Sequence, residues 1–279
     1  MSNASVTGLP NAGSASPGAS IAQAIRAART RGHAVVPFIT AGYPTLAALP
    51  GLVRALAPHA AAIEIGVPFS DPMADGVTIQ QASRTAIANG ASLGWLFEQL
   101  TALQCEAASG GPALPPIILM GYLNTFITGG LASLAERAAA AGVAGLIIPD
   151  LPLEESAGLR AALHRTGVGL VQLVSPVTPP ERAAKIAAAS DGFLYAVMVA
   201  GVTGAGASEA VQVEPGAYLR SLKAVSPVPV CAGFGVRTRA DVVRLSGDAD
   251  GVIVGSALVQ AIGEGVDAGV FVRGLLHDR

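Results

Sequence analysis

The sequence predicts a single (β/α)8 barrel with one extra helix at its N-terminal end. Apolar runs and Ala/Leu/Arg-rich stretches alternate along the chain until eight such units have passed. The apolar runs are nearly continuous, as in parallel strands that are buried on both faces. The length of 279 residues also fits one such barrel, which typically takes about 250 residues.

The predicted strands are short runs of β-branched and apolar residues: His33–Thr40, Ala61–Gly66, Pro116–Met120, Ala144–Pro149, Val168–Val174, Gly192–Met198, Val228–Ala232 and Gly251–Val254. The helical stretches between them are Thr45–Pro58, Ile79–Ala108, Leu131–Ala141, Glu154–Thr166, Pro180–Ser190, Pro215–Val225 and Thr238–Ser246. Ile21–Arg31 is the extra helix, and the residues from Ala257 onward supply the last helical turns. An open doubly wound sheet is the alternative, but no Gly-x-Gly-x-x-Gly motif follows the first strand.

Residues 1–20 are rich in Ser, Ala, Gly and Pro and predict a disordered tail, so the barrel domain spans residues 21–279. The tail lacks the basic and apolar regions of a secretory signal, and we expect a cytoplasmic protein. No apolar run approaches the ~18 residues of a membrane-spanning helix. The basic residues form no cluster suited to nucleic acid. We therefore expect neither a membrane nor a nucleic acid as a partner.

Only 13% of the residues are charged and 51% are apolar, against about 25% charged in an average protein. This balance indicates a large core together with either an alanine-rich composition or a surface that a partner subunit covers. Cys105 and Cys231 fall singly on a predicted helix and a predicted strand, so we expect small core residues. The histidines are not spaced as metal ligands, and no metal is expected.

In a barrel of this class the chemistry lies at the C-terminal ends of the strands. Glu64 alternates with Ile63 and Ile65 on the second strand, so its carboxyl group points into the barrel if the isoleucines face the helices. Burial there raises the pKa of a carboxyl group toward the range that acid–base catalysis uses. The alternative is a structural glutamate that pairs with a buried arginine.

The loop after the second strand carries Asp71 and Asp75. Asp75 is placed to contact an N–H or O–H group of a ligand at the barrel mouth. However, Asp-Pro and Asp-Gly are also common turn sequences. For Asp71 we favour the turn interpretation, and for Asp75 both interpretations stay open.

Glycine-rich loops follow the last three predicted strands: Gly201-Val-Thr-Gly-Ala-Gly, Gly233-Phe-Gly and Gly255-Ser-Ala. Glycines let backbone N–H groups approach an anion closely, and barrels often bind phosphate with the loops after strands seven and eight. These loops predict a phosphate site, although ordinary strand-end glycines are the alternative.

The two lysines, Lys185 and Lys223, fall on predicted helices. Neither is placed to form an imine with a substrate or with pyridoxal phosphate at a strand end. Any carbon–carbon chemistry must then depend on carboxylates and on Tyr195 of the sixth strand.

The run Glu64-Ile-Gly-Val-Pro-Phe-Ser-Asp-Pro-Met-Ala-Asp-Gly-Val-Thr-Ile-Gln closely resembles the signature of the tryptophan synthase alpha chain family. The motif is long and ordered, which makes the signal specific. The resemblance covers about residues 21 to 270. Further segments fit the family in the same order: Pro37–Gly42, Leu119–Asn124, Pro149–Glu155, Gly201–Gly204, Gly233–Gly235 and Gly255–Ser256.

This resemblance implies a lyase that cleaves indole-3-glycerol phosphate to indole and glyceraldehyde 3-phosphate by a retro-aldol step, without a cofactor in this chain. It implies a beta chain partner in an α2β2 heterotetramer. That partner would carry pyridoxal phosphate and convert the indole to L-tryptophan. Three alternatives are a free-standing lyase that releases indole, an inactive barrel that binds phosphate or regulates a partner, and another phosphate-binding enzyme such as an isomerase.

The resemblance also implies roles for individual residues. Glu64 would protonate indole C3 and take the proton of the neighbouring glycerol hydroxyl. Asp75 would hold the indole N–H and stabilise positive charge on the ring, and Tyr195 would assist Glu64. The residues implied around the indole ring are Phe38, Met120, Ile147, Leu173 and Phe234. Those implied around the phosphate are Thr203, Gly204, Gly235, Gly255 and Ser256.

The chain departs from the family just before the Gly201 loop. A hydroxyl side chain or an arginine is common there, whereas this chain has Met198, Val199 and Ala200. The departure concerns the closure of this loop and its coupling to the partner, and it leaves the expected reaction unchanged.

Overall fold

Eight parallel strands form a closed barrel in sequence order in the computed structural model, which describes residues 16–198, 214–233 and 235–277. The strands are β1 (Val35–Thr40), β2 (Ile63–Gly66), β3 (Ile117–Met120), β4 (Val143–Ile147), β5 (Gly169–Val174), β6 (Leu194–Val197), β7 (Val230–Gly233) and β8 (Gly251–Val254). Each strand pairs in parallel with the next, and β8 pairs with β1. The predicted barrel is confirmed, and closure of the sheet contradicts the doubly wound alternative.

Helices surround the barrel: α1 (Ala19–Thr30), α2 (Ala48–Leu56), α3 (Val77–Ala88), α4 (Leu93–Ala108), α5 (Leu123–Ile127), α6 (Leu131–Ala140), α7 (Ala157–Arg165), α8 (Pro180–Ala189), α9 (Pro215–Val225), α10 (Arg239–Ser246), α11 (Ser256–Gly263) and α12 (Ala268–Leu276). A 3-10 turn at Leu153–Glu155 precedes α7. The extra N-terminal helix is confirmed, and it already includes Ala19 and Ser20 of the predicted tail. Residues 1–15 lie outside the described residues, so disorder of the tail stays a prediction.

Alternation of side chains along the strands divides the core into two layers. Ile63 and Ile65 belong to the cluster between the barrel and its helices. Phe38 on β1 belongs to the cluster inside the barrel. Glu64 on β2 is the register partner of Phe38. The two-residue period of a strand therefore directs the glutamate inward while its isoleucine neighbours face the helices.

Helix α1 closes the N-terminal end of the barrel. Ile21 and Ile25 are fully buried and belong to the cluster inside the barrel, together with Phe193. Burying an isoleucine side chain contributes roughly 1.5–3 kcal/mol. With this end covered, the loops that follow the strands at the other end are left to form a site.

The predicted single helix over Ile79–Ala108 is wrong, because the structure divides this stretch into α3 and α4. Gly90 has a φ of +89° between the two helices, a conformation that favours glycine. The hydroxyl of Ser92 then accepts a hydrogen bond from the N–H of Trp95 at 3.2 Å and caps α4. The Gly and Ser signals were present in the sequence, but the continuous apolar pattern obscured them.

The prediction that both cysteines are core residues holds only for Cys231, which is buried on β7. Cys105 is exposed on α4. The buried face of α4 includes Leu96, Leu100 and Leu103 at helical spacing. Position 105 falls away from that stripe, so residue type alone gave the wrong burial.

Ser190 joins the start of β6 to the neighbouring strand, and Ser190→Ala should lower the free energy of unfolding. The Ser190 hydroxyl accepts a hydrogen bond from the N–H of Gln172 at 2.9 Å and donates one to the carbonyl of Phe193. The Ser190 side chain and both hydrogen bonds are buried. Removing it leaves buried backbone groups without this partner, which costs about 1–3 kcal/mol. Urea denaturation would measure the change, with the exposed Ser20→Ala as control. Equal stabilities of the two variants would contradict the assignment.

Candidate active site

The carboxyl group of Glu64 is enclosed by the barrel. Glu64 is 1% exposed, and neither carboxyl oxygen has a hydrogen-bond partner among the described residues. Burial, and after it the nearby charge of Asp75, raises the pKa of Glu64 to about 8. A buried arginine beside the carboxylate would instead lower this pKa. The structure therefore favours a proton-carrying glutamate over a structural ion pair.

A second carboxyl group, that of Asp75, reaches the site from the loop between β2 and α3. The hydroxyl of Tyr122 donates to Asp75 Oδ2 at 3.3 Å and accepts from the N–H of Ala74 at 2.8 Å. The Tyr122 ring stacks on Phe69 with 4.9 Å between ring centroids. Burial raises the pKa of Asp75 to about 6, and the hydrogen bond from Tyr122 opposes that rise. Asp75 is thus part of the site and does more than form a turn.

The rest of this loop is tied down by local hydrogen bonds. Gln80 Nε2 donates to the carbonyl of Asp75 at 2.9 Å and to that of Pro72 at 3.4 Å. Asp71 is exposed and accepts from Ser70 Oγ at 2.5 Å. Asp71 therefore behaves as a turn residue, as expected, whereas Asp75 faces the barrel.

Two strand glycines make room for aromatic rings inside the barrel. A Cβ atom at Gly66 on β2 would lie 2.5 Å from Cζ of Phe38. A Cβ atom at Gly233 on β7 would overlap the ring and the hydroxyl of Tyr195. Phe38 and Tyr195 are both buried, so any side chain at these glycines would displace a wall of the site. The sequence indicated Gly233 only as part of a phosphate loop.

These groups meet in a cavity at the C-terminal end of the barrel. The predicted site residues that line it are Phe38, Glu64, Asp75, Met120, Tyr195, Gly235, Gly255 and Ser256. Ile147 and Leu173 are in the apolar cluster inside the barrel and are not among the lining residues. Thr203, Gly204 and Phe234 lie outside the described residues, so their predicted contacts stay predictions.

Several lining residues were missed by reasoning from the sequence. They are Ile79, Val236, Arg237, Ile253 and Ala257. Ile253 could have been found, because it occupies an inward position on β8 and pairs with an inward residue of β1. Tyr122, the partner of Asp75, stood within a segment that resembles the family, but nothing local indicated its contact.

Backbone N–H groups lie at the end of the cavity where the lining includes Gly255 and Ser256. Helix α11 begins there at Ser256, and no side chain of the described residues caps it. Gly235 has a φ of +83° and is exposed beside this helix. The N–H groups of a first helical turn have no partner within the helix and favour an anion. This donor set suits a phosphate group, and the phosphate site predicted from the glycine-rich loops stays a prediction.

Over the described ranges, no group of three His, Cys, Asp or Glu side chains is arranged to hold a metal ion. Lys185 lies on α8 and Lys223 on α9, which confirms that both are helical. Within the same ranges no helix has the length and apolar character needed to cross a membrane. The ionisable side chains of the described cavity lining are those of Glu64, Asp75, Tyr195 and Arg237.

Comparison with known proteins agrees with this geometry. The family model described as "Tryptophan synthase alpha chain" matches residues 25–270. The chain belongs to the tryptophan synthase alpha chain family. It is 42% identical to the tryptophan synthase alpha chain of Xylella fastidiosa (strain M12) over 241 residues, which cover 86% of this chain and 87% of the relative. It is 44% identical to that of Xanthomonas oryzae pv. oryzae (strain MAFF 311018) over 236 residues, covering 84% and 85%.

Solved structures of tryptophan synthase share the fold. An open form of tryptophan synthase from M. tuberculosis superimposes with a TM-score of 0.79 at 33% identity, covering 92% of this chain and 97% of the other. The α2β2 complex from Pyrococcus furiosus gives a TM-score of 0.76 at 34% identity, covering 87% and 97%. The resemblance drawn from the Glu64 motif is thus confirmed, and the chain is a lyase of tryptophan biosynthesis.

The departure from this alpha chain family before Gly201 is only partly described. Met198 follows β6, and its N–H donates to the carbonyl of Gly233 at 3.0 Å. Val199 and Ala200 lie outside the described residues. The expected effect of these three residues on loop closure stays a prediction.

Tyr122→Phe should raise the pKa of Asp75 further above about 6, because the hydroxyl that opposes the effect of burial is lost. An NMR titration of 13C-labelled aspartate carboxyl groups would measure this pKa. Tyr218→Phe is the matched control, since the buried Tyr218 hydroxyl has no hydrogen-bond partner among the described residues. An Asp75 titration that is the same in wild type and Tyr122→Phe would show that the hydroxyl does not act on this carboxyl group.

Proposed function

We propose that this cavity cleaves indole-3-glycerol phosphate and that Glu64 is its general acid and base. The observation that carries the proposal is the buried Glu64 carboxyl group, which lines the cavity with a pKa of about 8. Such a group holds its proton near neutral pH and can release it when a substrate provides an acceptor. The membership of the tryptophan synthase alpha chain family supports this substrate.

The proposed reaction needs one proton, which Glu64 donates and then regains, and it needs no cofactor. Glu64 protonates C3 of the indole ring, which becomes a positively charged indolenine. The Glu64 carboxylate then takes the proton of the glycerol hydroxyl next to the ring. As the hydroxyl becomes an aldehyde, the bond between the two carbons breaks and its electron pair returns to the ring. Indole and glyceraldehyde 3-phosphate are released, and Glu64 is protonated again.

Asp75 is proposed to stabilise the positive charge of the indolenine. A carboxylate that accepts the indole N–H strengthens its interaction as that nitrogen becomes cationic, which lowers the barrier selectively. The hydrogen bond from Tyr122 keeps the pKa of Asp75 lower than burial alone would set it. Tyr195, buried and lining the same cavity, is proposed to assist Glu64 in positioning the substrate.

The apolar wall is proposed to hold the indole ring. Phe38, Met120, Ile79 and Ile253 line the cavity near the carboxyl groups. Apolar and aromatic walls with a few polar groups are typical of sites for small aromatic ligands. Among the residues implied by the resemblance, Ile147 and Leu173 would support this wall from inside the barrel, and Phe234 would complete it.

The phosphate is proposed to lie at the glycine-rich end. Gly235, Gly255 and Ser256 line that end, next to the uncapped start of α11. Their N–H groups would donate to the phosphate oxygens. Thr203 and Gly204 are proposed to close over the same group from the loop after β6.

The partner is proposed to be a tryptophan synthase beta chain in an α2β2 assembly, as in the complex from Pyrococcus furiosus. Met73, in the loop after β2, is 81% exposed, and Val177, in the loop after β5, is 58% exposed. Apolar side chains exposed at the mouth of the site fit a protein contact. The beta chain would carry the pyridoxal phosphate and this chain would use no cofactor, and we propose the cytoplasm as the location.

Glu64→Gln should reduce indole release by about 10²–10⁴-fold, the usual contribution of general acid–base catalysis. Asp75→Asn should retain more activity, because the amide oxygen still accepts a hydrogen bond while the charge is lost. The measurement is indole release from indole-3-glycerol phosphate by the purified chain, alone and with a beta chain.

Binding of glycerol 3-phosphate serves as the control and should persist in both variants. Near wild-type release by Glu64→Gln would contradict its role, and equal loss in both variants would assign proton transfer to Asp75 as well. Fast indole release at a rate that does not change when the beta chain is added would instead favour the free-standing lyase. No release under either condition would favour an inactive barrel.

The value of kcat/KM should follow a bell-shaped dependence on pH. It should rise as Asp75 becomes ionised near its pKa of about 6 and fall as Glu64 loses its proton near its pKa of about 8. Asp75→Asn should lose the acidic limb and keep the alkaline limb. An alkaline limb that is absent from the wild type between pH 7 and 9 would contradict the protonated form of Glu64 as the catalyst.

A further inference from the structure

Arg237 brings a positive charge to the glycine-rich end of the cavity. It lies in the loop between β7 and α10 and lines the cavity together with Gly235, Gly255 and Ser256. The other charged residues of the described lining are the carboxyl groups of Glu64 and Asp75. Arg237 is therefore the one cation that the described part of the wall presents to a ligand.

The backbone that carries Arg237 is held in place. Its N–H donates to Asp241 Oδ2 at 3.1 Å. The same oxygen accepts from the N–H of Thr238 at 3.0 Å, and the Thr238 hydroxyl accepts from the N–H of Asp241 at 3.3 Å. These bonds form a capping box at the start of α10. The origin of the Arg237 side chain is thus fixed beside the cavity.

The nearby acid does not neutralise the Arg237 side chain. The Asp241 carboxylate is occupied by backbone and hydroxyl donors of its own turn, and by Arg244 Nη2 at 3.4 Å. Among the described residues, the Arg237 guanidinium has no side-chain hydrogen bond or ion pair, and Arg237 is exposed. An arginine with its five donors unengaged at the rim of an anion site is ready to bind a phosphate.

Charge balance indicates why backbone N–H groups alone are a weak counterpart here. A phosphate monoester carries between one and a half and two negative charges near neutral pH. The cavity already contains two carboxyl groups, and one of them must be ionised for the proposed reaction. A helix start supplies only about half a positive charge. A full charge at Arg237 would both attract the substrate and direct its phosphate away from the carboxyl end.

We propose that Arg237 is a specificity-determining residue that binds the phosphate of the substrate through its guanidinium group. The proposal rests on the proposed function of the same cavity. It assigns to a side chain a contact that the glycine-rich loops would otherwise make through the backbone. It also makes binding sensitive to salt, because a partly exposed ion pair is screened. Selection for phosphorylated over unphosphorylated substrate follows.

The test compares Arg237→Gln and Arg237→Lys with wild type. Arg237→Gln should raise KM for indole-3-glycerol phosphate roughly tenfold, the effect of losing one charge-assisted hydrogen bond, and should change kcat by less than about threefold because the reacting atoms are elsewhere. It should leave KM for unphosphorylated indoleglycerol unchanged and flatten the dependence of KM on salt. Arg237→Lys should recover part of the loss. Arg26→Gln, exposed on α1 at the other end of the barrel, is the control.

Calorimetric binding of glycerol 3-phosphate gives a readout that does not need turnover. A weaker affinity in Arg237→Gln, with unchanged circular dichroism, supports the proposal even if wild type fails to release indole, an outcome that would contradict only the proposed function. Equal affinities of wild type and Arg237→Gln would overturn the role of Arg237. An equal loss for indoleglycerol and its phosphate would also overturn it, since the residue would then act on the shape of the site.

Discussion

The site depends on one carboxyl group, that of Glu64, placed inside a closed sheet without a cationic partner among the described residues. Register pairing sets Glu64 next to Phe38 on one side and Ile118 on the other. Glu64 is 1% exposed, and burial is the main cause of its raised pKa. The same residue with an arginine partner would be ionised and inert as an acid. The free energy that burial of this group costs is offset by the apolar layers on both faces of the barrel.

The cavity separates two kinds of chemistry along its length. In the proposed reaction, proton transfer and charge stabilisation belong to the end that holds Glu64 and Asp75, while phosphate binding belongs to the end built by Gly235, Gly255 and Arg237. A substrate with an aromatic ring at one end and a phosphate at the other can bind in one direction only. Orientation of this kind converts binding energy into correct positioning of the reacting atoms.

Contacts behind the site hold its loops in place before a ligand arrives. Tyr122 and Gln80 fix the loop that carries Asp75, and the capping box at Thr238 fixes the loop that carries Arg237. Gly66 and Gly233 leave space for Phe38 and Tyr195, which line the cavity together with Glu64. Preorganised groups of this type act without reorganising during the reaction, which is where their electrostatic advantage lies.

The sequence by itself determined the barrel and the inward direction of Glu64, because strand periodicity and the alternation of β and α units are local patterns. Glycine-rich strand ends are also a local pattern, and the phosphate site that they predict stays a prediction. The local patterns missed the break between α3 and α4, which helix capping decides. They also missed the exposure of Cys105, which depends on its position around the helix and not on its residue type. Only the tertiary structure decided that Tyr122 holds Asp75 and that Arg237 faces the cavity. Tyr122 and Asp75 are 47 residues apart along the chain, and the parallel pairing of β2 with β3 places the loops that carry them side by side.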